Sequence, residues 1–320
     1  MLFPTQEQVA VLAKAKGRLD AAGMATVVPT FASLSAVQDK ISASATLRRL
    51  GVPQPETTTS LNGWDRFPAF VKDPIGTASG GVRRVGSYHE LQQAAAGRRV
   101  VVQAAAEGPL AMCQAVFNHG SIVAFHANLR AGEGANGGAS HKVSLSTPEI
   151  RHFFERLGRD LTWHGALSAD AILTADGPLL IDINPRLVEP QNAYLSGVDL
   201  VGPMLALAVG EHPEDQADGR PGVATHQLLL AVLAAANHRH GRRRVVKELT
   251  DAWRGVGACA ASIEELTPLA GDVRAVVPVA MAALATLVEP NAWTWFASGS
   301  VAAYALSDTG WHQLLEADPT

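Results

Sequence analysis

Apolar positions recur at helical spacing over residues 7–22, where Val9, Leu12 and Leu19 sit among alanines ahead of Gly23. A short strand is expected at 25–28, with a turn at Pro29. A second helix opens at Asp39-Lys40, runs to Leu50 and stops at Gly51. Val52-Pro53-Gln54-Pro55 then forces extended backbone, because a residue before proline avoids the helical region. Residues 67–73 and 82–85 read as strands flanking a glycine-rich loop, Gly76 to Gly81. Ser87 and Glu90 form a capping-box signal for a helix over 88–96. A strand over 99–103 leads through Ala104-Ala105-Ala106 to Glu107-Gly108. Alternating runs at 111–117 and 121–127 meet at Asn118-His119-Gly120, a hairpin signal.

Further along, Pro148-Glu149 starts a helix through Leu157, and strands over 166–174 and 178–184 surround Ala175-Asp176-Gly177. Helices are expected over 193–209 and 223–236. From about 211 the chain becomes alanine-rich and helical, with Trp253, Trp293, Trp295 and Trp311 and no chemical motif.

The stretch from Gly165 to Arg186 carries the most chemistry. Side chains two apart on a strand share a face, so Asp182 and Asn184 point one way, Ile181 and Ile183 the other. A three-residue loop with Gly177 in the left-handed conformation would pair Thr174 with Pro178 and set Asp170 opposite Asp182. Like charges facing across a sheet repel, so the pair makes sense with a cation between them. Hard oxygen ligands suit Mg2+, or Mn2+ as a close substitute. The plainer reading of Asp-Ile-Asn-Pro-Arg is a strand end and turn with surface polar groups.

A second element is Phe70-Val71-Lys72-Asp73-Pro74 and the glycine loop after it. A lysine at a strand end beside loop amides can hold phosphate as a point charge with a nest of donors. No Gly-Lys-Ser or Gly-Lys-Thr closes the loop, so it is not a Walker A motif. Gly132-Glu133-Gly134-Ala135-Asn136-Gly137 fits the dinucleotide glycine pattern, but loop residues and an extended run follow where a helix would have to start.

Composition narrows the classes. At 320 residues, with 47% hydrophobic and 18% charged residues, the chain can bury one or two cores. A net charge of -4, with arginine clusters at 98–99 and 242–244 that lack interleaved aromatics, argues against a nucleic-acid partner. Cys113 and Cys259 stand far apart, which points to a reduced, cytoplasmic protein. The most apolar stretch, 275–288, is short of the roughly 20 residues of a membrane span. It reads as a buried helix, with a membrane-surface helix as the alternative. Histidines 119, 126, 141, 152 and 164 match no zinc spacing, and no zinc is expected.

Together the motifs resemble the ATP-grasp superfamily, particularly the branch with biotin carboxylase and the carbamoyl phosphate synthetase large subunit. Asp39-Lys40 and Gly51-Val52-Pro53-Gln54-Pro55 resemble its aspartate-lysine helix and following turn. Val71 to Pro74 resembles its valine-lysine-proline strand, 76–82 its phosphate-covering loop, and 103–108 its inter-lobe hinge.

The resemblance implies an α+β chain: an ATP-grasp fold whose two α+β lobes clamp ATP, over residues 36–210. A shortened N-terminal α/β remnant would fill 1–35, and a mainly helical region 211–320. It implies that Lys40, Lys72, Gly76, Ser79 and Gly80 hold the ATP phosphates, and that Gln103, Ala105, Ala106 and Glu107 meet the nucleoside. Asp170, Asp182 and Asn184 would bind Mg2+ or Mn2+. Lys72, Arg130 and Arg186 would be catalytic, the arginines facing the transferred phosphoryl or acyl-phosphate oxygens. The implied function is an ATP-dependent ligase that activates a carboxylate as an acyl phosphate for attack by an amine, or by a thiol. A non-catalytic ATP-binding or regulatory module and a kinase-type phosphoryl transfer are the alternatives. The expected partners are a small-molecule carboxylate and an amine acceptor, with no nucleic acid and no membrane. A homo-oligomer, or a partner chain supplying the front domain, stays open.

Departures from the family pattern are specific. Asp182 stands where glutamate is usual, Asp73 where proline is expected, and Ala104 where the hinge carries glutamate.

Overall fold

A computed structural model describes residues 1–76, 80–135, 137–238, 240–266, 271–297 and 305–317. The N-terminal segment forms α1 (Gln8–Lys14) and α2 (Lys16–Ala21), so the single helix expected over 7–22 breaks at Ala15. Residues 25–28, expected as a strand, join no sheet among the described residues, although Val27 and Val28 are buried. A helix absent from the sequence pattern, α3 (Phe31–Gln38), follows. It is capped by Thr30, whose side chain accepts from the Ser33 amide, and it abuts α4 (Lys40–Arg49), capped by Asp39.

The smaller lobe holds β1 (Thr57–Thr58), β2 (Ala69–Lys72), β3 (Val82–Val85), α5 (Tyr88–Ala95) and β4 (Val101–Ala104). Its antiparallel sheet has the order β1-β4-β2-β3. Ser87 caps α5 as expected, but Glu90 returns its hydrogen bond to the Gly86 amide. Leu91, Ala94 and Ala95 of α5 pack on Ala69, Val71, Val85 and Val102 of the sheet.

The larger lobe begins with β5 (Leu110–Asn118), β6 (Ser121–Glu133), β7 (Ala139–Ser144), α6 (Pro148–Leu161), β8 (Gly165–Thr174) and β9 (Gly177–Asn184). The β5–β6 turn places His119 and Gly120 at positive φ, the geometry of a tight hairpin. β6 ends at Glu133 and β7 starts at Ala139, so a strand stands where the dinucleotide pattern would need a helix. Apolar residues of α6 (Ile150, Phe154, Leu157) cover one sheet face, packing on Ala115, Phe117, Phe125 and Leu167. The chain continues through α7 (Gln191–Ser196) and α8 (Val201–Ala208), two helices in place of the one expected over 193–209.

The tail contributes strands as well as helices. β10 (Ala224–His226) precedes α9 (Leu228–Ala236) and α10 (Gly241–Arg254). β11 (Ile263–Glu264), α11 (Val276–Val288), α12 (Trp293–Ala297) and α13 (Asp308–Glu316) follow. The larger sheet therefore reads β11-β10-β7-β6-β5-β8-β9, seven strands among the described residues. Trp311 of α13 packs with Val9, Ala10, Val28 and Leu34, joining the two ends of the chain. No helix of the described residues is long and apolar enough to cross a membrane.

Candidate active site

The cleft between the lobes is lined by Lys40, Lys72, Gln103, Asp182 and the apolar Leu47 and Ile183. It encloses about 370 Å³, counting the solvent at its mouth.

Lys40 is the first residue of α4, so its position follows from the cap. Asp39 accepts from the Ile41 amide at 2.7 Å and is held by Arg99 Nη2 at 2.9 Å. The Lys40 amide donates to the Pro74 carbonyl, tying the helix start to the end of β2. Its ammonium donates to the Gly76 carbonyl at 3.2 Å and lies 3.9 Å from Asp182 Oδ1.

Lys72 ends β2 and is buried. Phe70 pairs with Gln103 across the β2–β4 ladder, which makes Gln103 the diagonal neighbour of Lys72 on the same face. Accordingly Lys72 Nζ donates to Gln103 Oε1 at 2.7 Å, and also to the Ile181 carbonyl at 2.8 Å. Burial pushes its ammonium below the ordinary lysine value. Lys40 adds to that, while Asp182 and Asp170 act the other way.

The acidic pair sits as expected, for a different reason. Asp170 pairs with Asp182, but Thr174 pairs with Gly177 and Leu173 with Pro178, so the turn holds two residues. A bulge at Ile181 restores the register, because Asp170 faces Asp182 while Ala171 faces Leu180. The same bulged residue offers its carbonyl to Lys72, so one irregularity serves both the carboxylate pair and the lysine. The Asp170 carboxyl is held up at about 7, first by burial and then by Asp182, against the pull of Arg130, Lys72 and Arg186. Asn184 pairs with Ser168 one step along the same face.

Two facing carboxyl groups, with an amide oxygen on the same strand face, are a fitting donor set for a hard divalent cation. Among the described residues no three His, Cys, Asp or Glu side chains gather in a way that would hold a metal.

The two ends of the glycine loop approach each other closely. A β-carbon on Gly76 would lie 2.6 Å from the Gly80 carbonyl, and one on Gly81 would collide with the Asp73 carboxylate. Those approaches explain why glycine stands there. Asp73, the departure from the expected proline, accepts from Arg98 at 2.6 Å, and its amide donates to the Gly81 carbonyl. Ser79 lies outside the described residues.

At the hinge the Ala105 amide donates to the Pro68 carbonyl. Ala106 is half-buried and Glu107 exposed. Arg130 donates to the Gly137 carbonyl at 2.9 Å and lies 3.5 Å from Glu133. It is close enough to Asp170 to lower that carboxyl's proton affinity. Arg186 Nε lies 4.0 Å from Glu7, which also accepts from Gln38. Glu7 belongs to the segment expected only as a remnant, and no local signal marks it.

A second polar group lies on the same sheet face and carries no motif in the sequence. Lys142, buried on β7, sits 2.5 Å from Glu189 and 2.6 Å from Glu265. Glu265 also accepts from Thr225 and Gln227, and Thr225 accepts from Asn192. Only the arrival of β11 beside β10 brings Glu265 there. His126 bonds Asn192 and Ser196, and burial lowers it to about 4, so it is neutral and structural.

Known proteins share the fold. Residues 37–190 match the ATP-grasp domain family. The biotin carboxylase domain of Hydrogenobacter thermophilus 2-oxoglutarate carboxylase, solved with MgADP, ADP and bicarbonate, superposes with a TM-score of 0.56. The two share 17% identity over 69% of this chain and 56% of that one. Campylobacter jejuni biotin carboxylase gives 0.56 at 16% identity, over 69% and 57%. The N5-carboxyaminoimidazole ribonucleotide synthetase of Thermus thermophilus gives 0.56 at 15% identity, over 80% and 82%. This chain spans little more than half the length of the two biotin carboxylase structures. At such identities the likeness shows a shared fold. A search of curated proteins finds no match.

Proposed function

Residues 37–190 are an ATP-grasp domain, and from that premise we propose that the chain is an ATP-dependent carboxylate–amine ligase working in the inter-lobe cleft. The observation that carries this reading is the meeting of Lys40, Lys72, Gln103 and Asp182, from both lobes, around one space, with Asp170 paired to Asp182 across the strands. The neighbour solved with MgADP and bicarbonate supports a nucleotide and a divalent cation here.

Lys40 and Lys72 would bear on the phosphates of ATP. Adenine would meet the hinge through carbonyl oxygens and the Ala106 amide, because the Ala105 amide is already engaged with Pro68. Asp170, Asp182 and Asn184 would hold Mg2+, which when bound neutralises charge on the phosphate oxygens. Arg130 and Arg186 would face the transferred phosphoryl or the acyl-phosphate oxygens. In the first step a carboxylate oxygen attacks the terminal phosphorus of ATP, forming an acyl phosphate and releasing ADP. An amine then attacks the acyl carbon, phosphate departs with the bonding electrons, and the amine loses a proton. Positioning and electrostatics supply the catalysis, as in other phosphoryl transfers. The domain limits 1–35, 36–210 and 211–320 belong to the same proposal.

ADP release measured against a panel of small carboxylates paired with amines, with product masses, tests the reading. The expected result is ADP formation that requires both a carboxylate and an amine, with a condensed product. MgATP binding without turnover across the panel would contradict it, and a stable phosphorylated product would favour kinase chemistry.

A further inference from the structure

α11 is turned inside out. Its inward face carries the small or branched residues Val279, Ala282, Ala283 and Thr286, and Val279 and Ala283 pack on Leu228, Val232 and Val245 of α9 and α10. Its outward face carries larger apolar side chains: Val277, Met281, Leu284 and Val288 are 55%, 58%, 65% and 77% exposed. Val273, one turn earlier, continues the row at 78%. Spacings of four, four, three and four residues put all five within one stripe, the pattern of a helix–helix seam. No charged residue interrupts α11 from Val276 to Val288. A solvent-facing helix normally reads polar on this side.

Charge sits at the two ends of the stripe, and it is of opposite sign. Arg274 lies just before α11 and Glu289 just after it, both exposed. Asp272 accepts from the Arg274 amide and Glu289 Oε1 from the Asn291 amide, while Arg242, beside Glu289, donates to the Leu287 and Val288 carbonyls. Two copies laid antiparallel about a two-fold axis at Met281 would set Val277 against Leu284 and Val273 against Val288. The same register brings Arg274 of each copy to Glu289 of the other. A parallel pairing would instead oppose like charges at both ends. The stripe is thus complementary to itself, which is the requirement of an isologous interface.

The five side chains offer on the order of 600 Å² per copy, near the roughly 800 Å² per partner of a stable complex. It is also at the upper end of what a monomer leaves exposed as one apolar patch.

We propose that the chain is a homodimer in which α11 packs antiparallel against α11 of a second copy, centred on Met281 and closed by Arg274–Glu289 pairs. This interface is independent of the ligase reading.

The test is sedimentation velocity or light scattering on the full chain, with three sets of variants. The wild type should run at twice the 33.6 kDa chain mass at micromolar concentration. Met281→Asp places two carboxylates together on the two-fold axis and should weaken the dimer by about a hundredfold or more. Because Met281 is exposed, its circular dichroism and unfolding midpoint as a monomer should stay normal. Arg274→Glu and Glu289→Arg should each weaken association several-fold, and the double swap R274E/E289R should restore it. A wild type that stays monomeric at about 100 µM, including one that instead binds lipid vesicles, would overturn the proposal. So would a dimer indifferent to Met281→Asp, or single swaps that leave association unchanged.

Discussion

Replacing Asp170 with Asn tests whether the facing carboxylates carry the strain that a cation is meant to relieve. In the folded protein without metal, the Asp170 carboxyl is held at about 7 against an ordinary 3.8, by burial first and Asp182 second. Between those values the folded chain keeps a proton that the unfolded chain has released. Stability therefore falls as pH rises from about 4 to about 7, and is flat above. A gap of about three pH units at 1.36 kcal/mol each gives a cost on the order of 4 kcal/mol above pH 7. Asn keeps the shape and abolishes the ionisation. Without divalent cations, Asp170→Asn should thus be more stable than wild type at pH 8 by up to about 4 kcal/mol. At pH 5 the advantage should shrink to well under half of that, because wild type is then protonated when folded. Urea unfolding at the two pH values measures both differences, and residues common to the two proteins cancel. Adding MgATP at about 100 times its Kd should stabilise wild type by about 2.7 kcal/mol and the variant by much less. A variant no more stable than wild type at pH 8, or an advantage independent of pH, would mean that the facing acids carry no such strain.

Two further substitutions probe the lysines. Lys72→Met keeps the buried volume but removes the donor shared by Gln103 and the Ile181 carbonyl. Nucleotide affinity, followed with a fluorescent ATP analogue, should fall about 10- to 100-fold, the worth of one charge-assisted hydrogen bond to phosphate. Lys142→Met leaves Glu189 and Glu265 together without their cation. The unfolding free energy should drop by about 3–5 kcal/mol, as for a broken buried pair, and a change under 1 kcal/mol would contradict the assignment.

Much of the site is legible in the sequence because its parts are local. Asp39 before Lys40 is a cap signal, and the alternation at 179–184 fixes which side Asp182 and Asn184 take. A three-residue turn predicts Asp170 opposite Asp182, whereas a two-residue turn and a bulge at Ile181 give the same pairing. Periodicity cannot see a bulge, since it adds one residue without changing composition. Glu7, Lys142, Glu189 and Glu265 are not legible as a group. Their roles come from tertiary contacts between distant segments: Lys142 and Glu265 are 123 residues apart, and Glu7 reaches Arg186 from still farther. The strands at 224–226 and 263–264 are too short to show alternation, and their partners alone make them strands. α3 is hidden because its apolar positions give little amphipathic contrast.

The central claim is that the two acids admit a triphosphate through a divalent cation, and titration calorimetry of ATP with and without Mg2+ addresses it most directly. Mg2+ should tighten ATP binding about tenfold or more in the wild type, and Asp182→Asn should remove most of the gain. ATP bound equally well with the cation and without it would contradict the account.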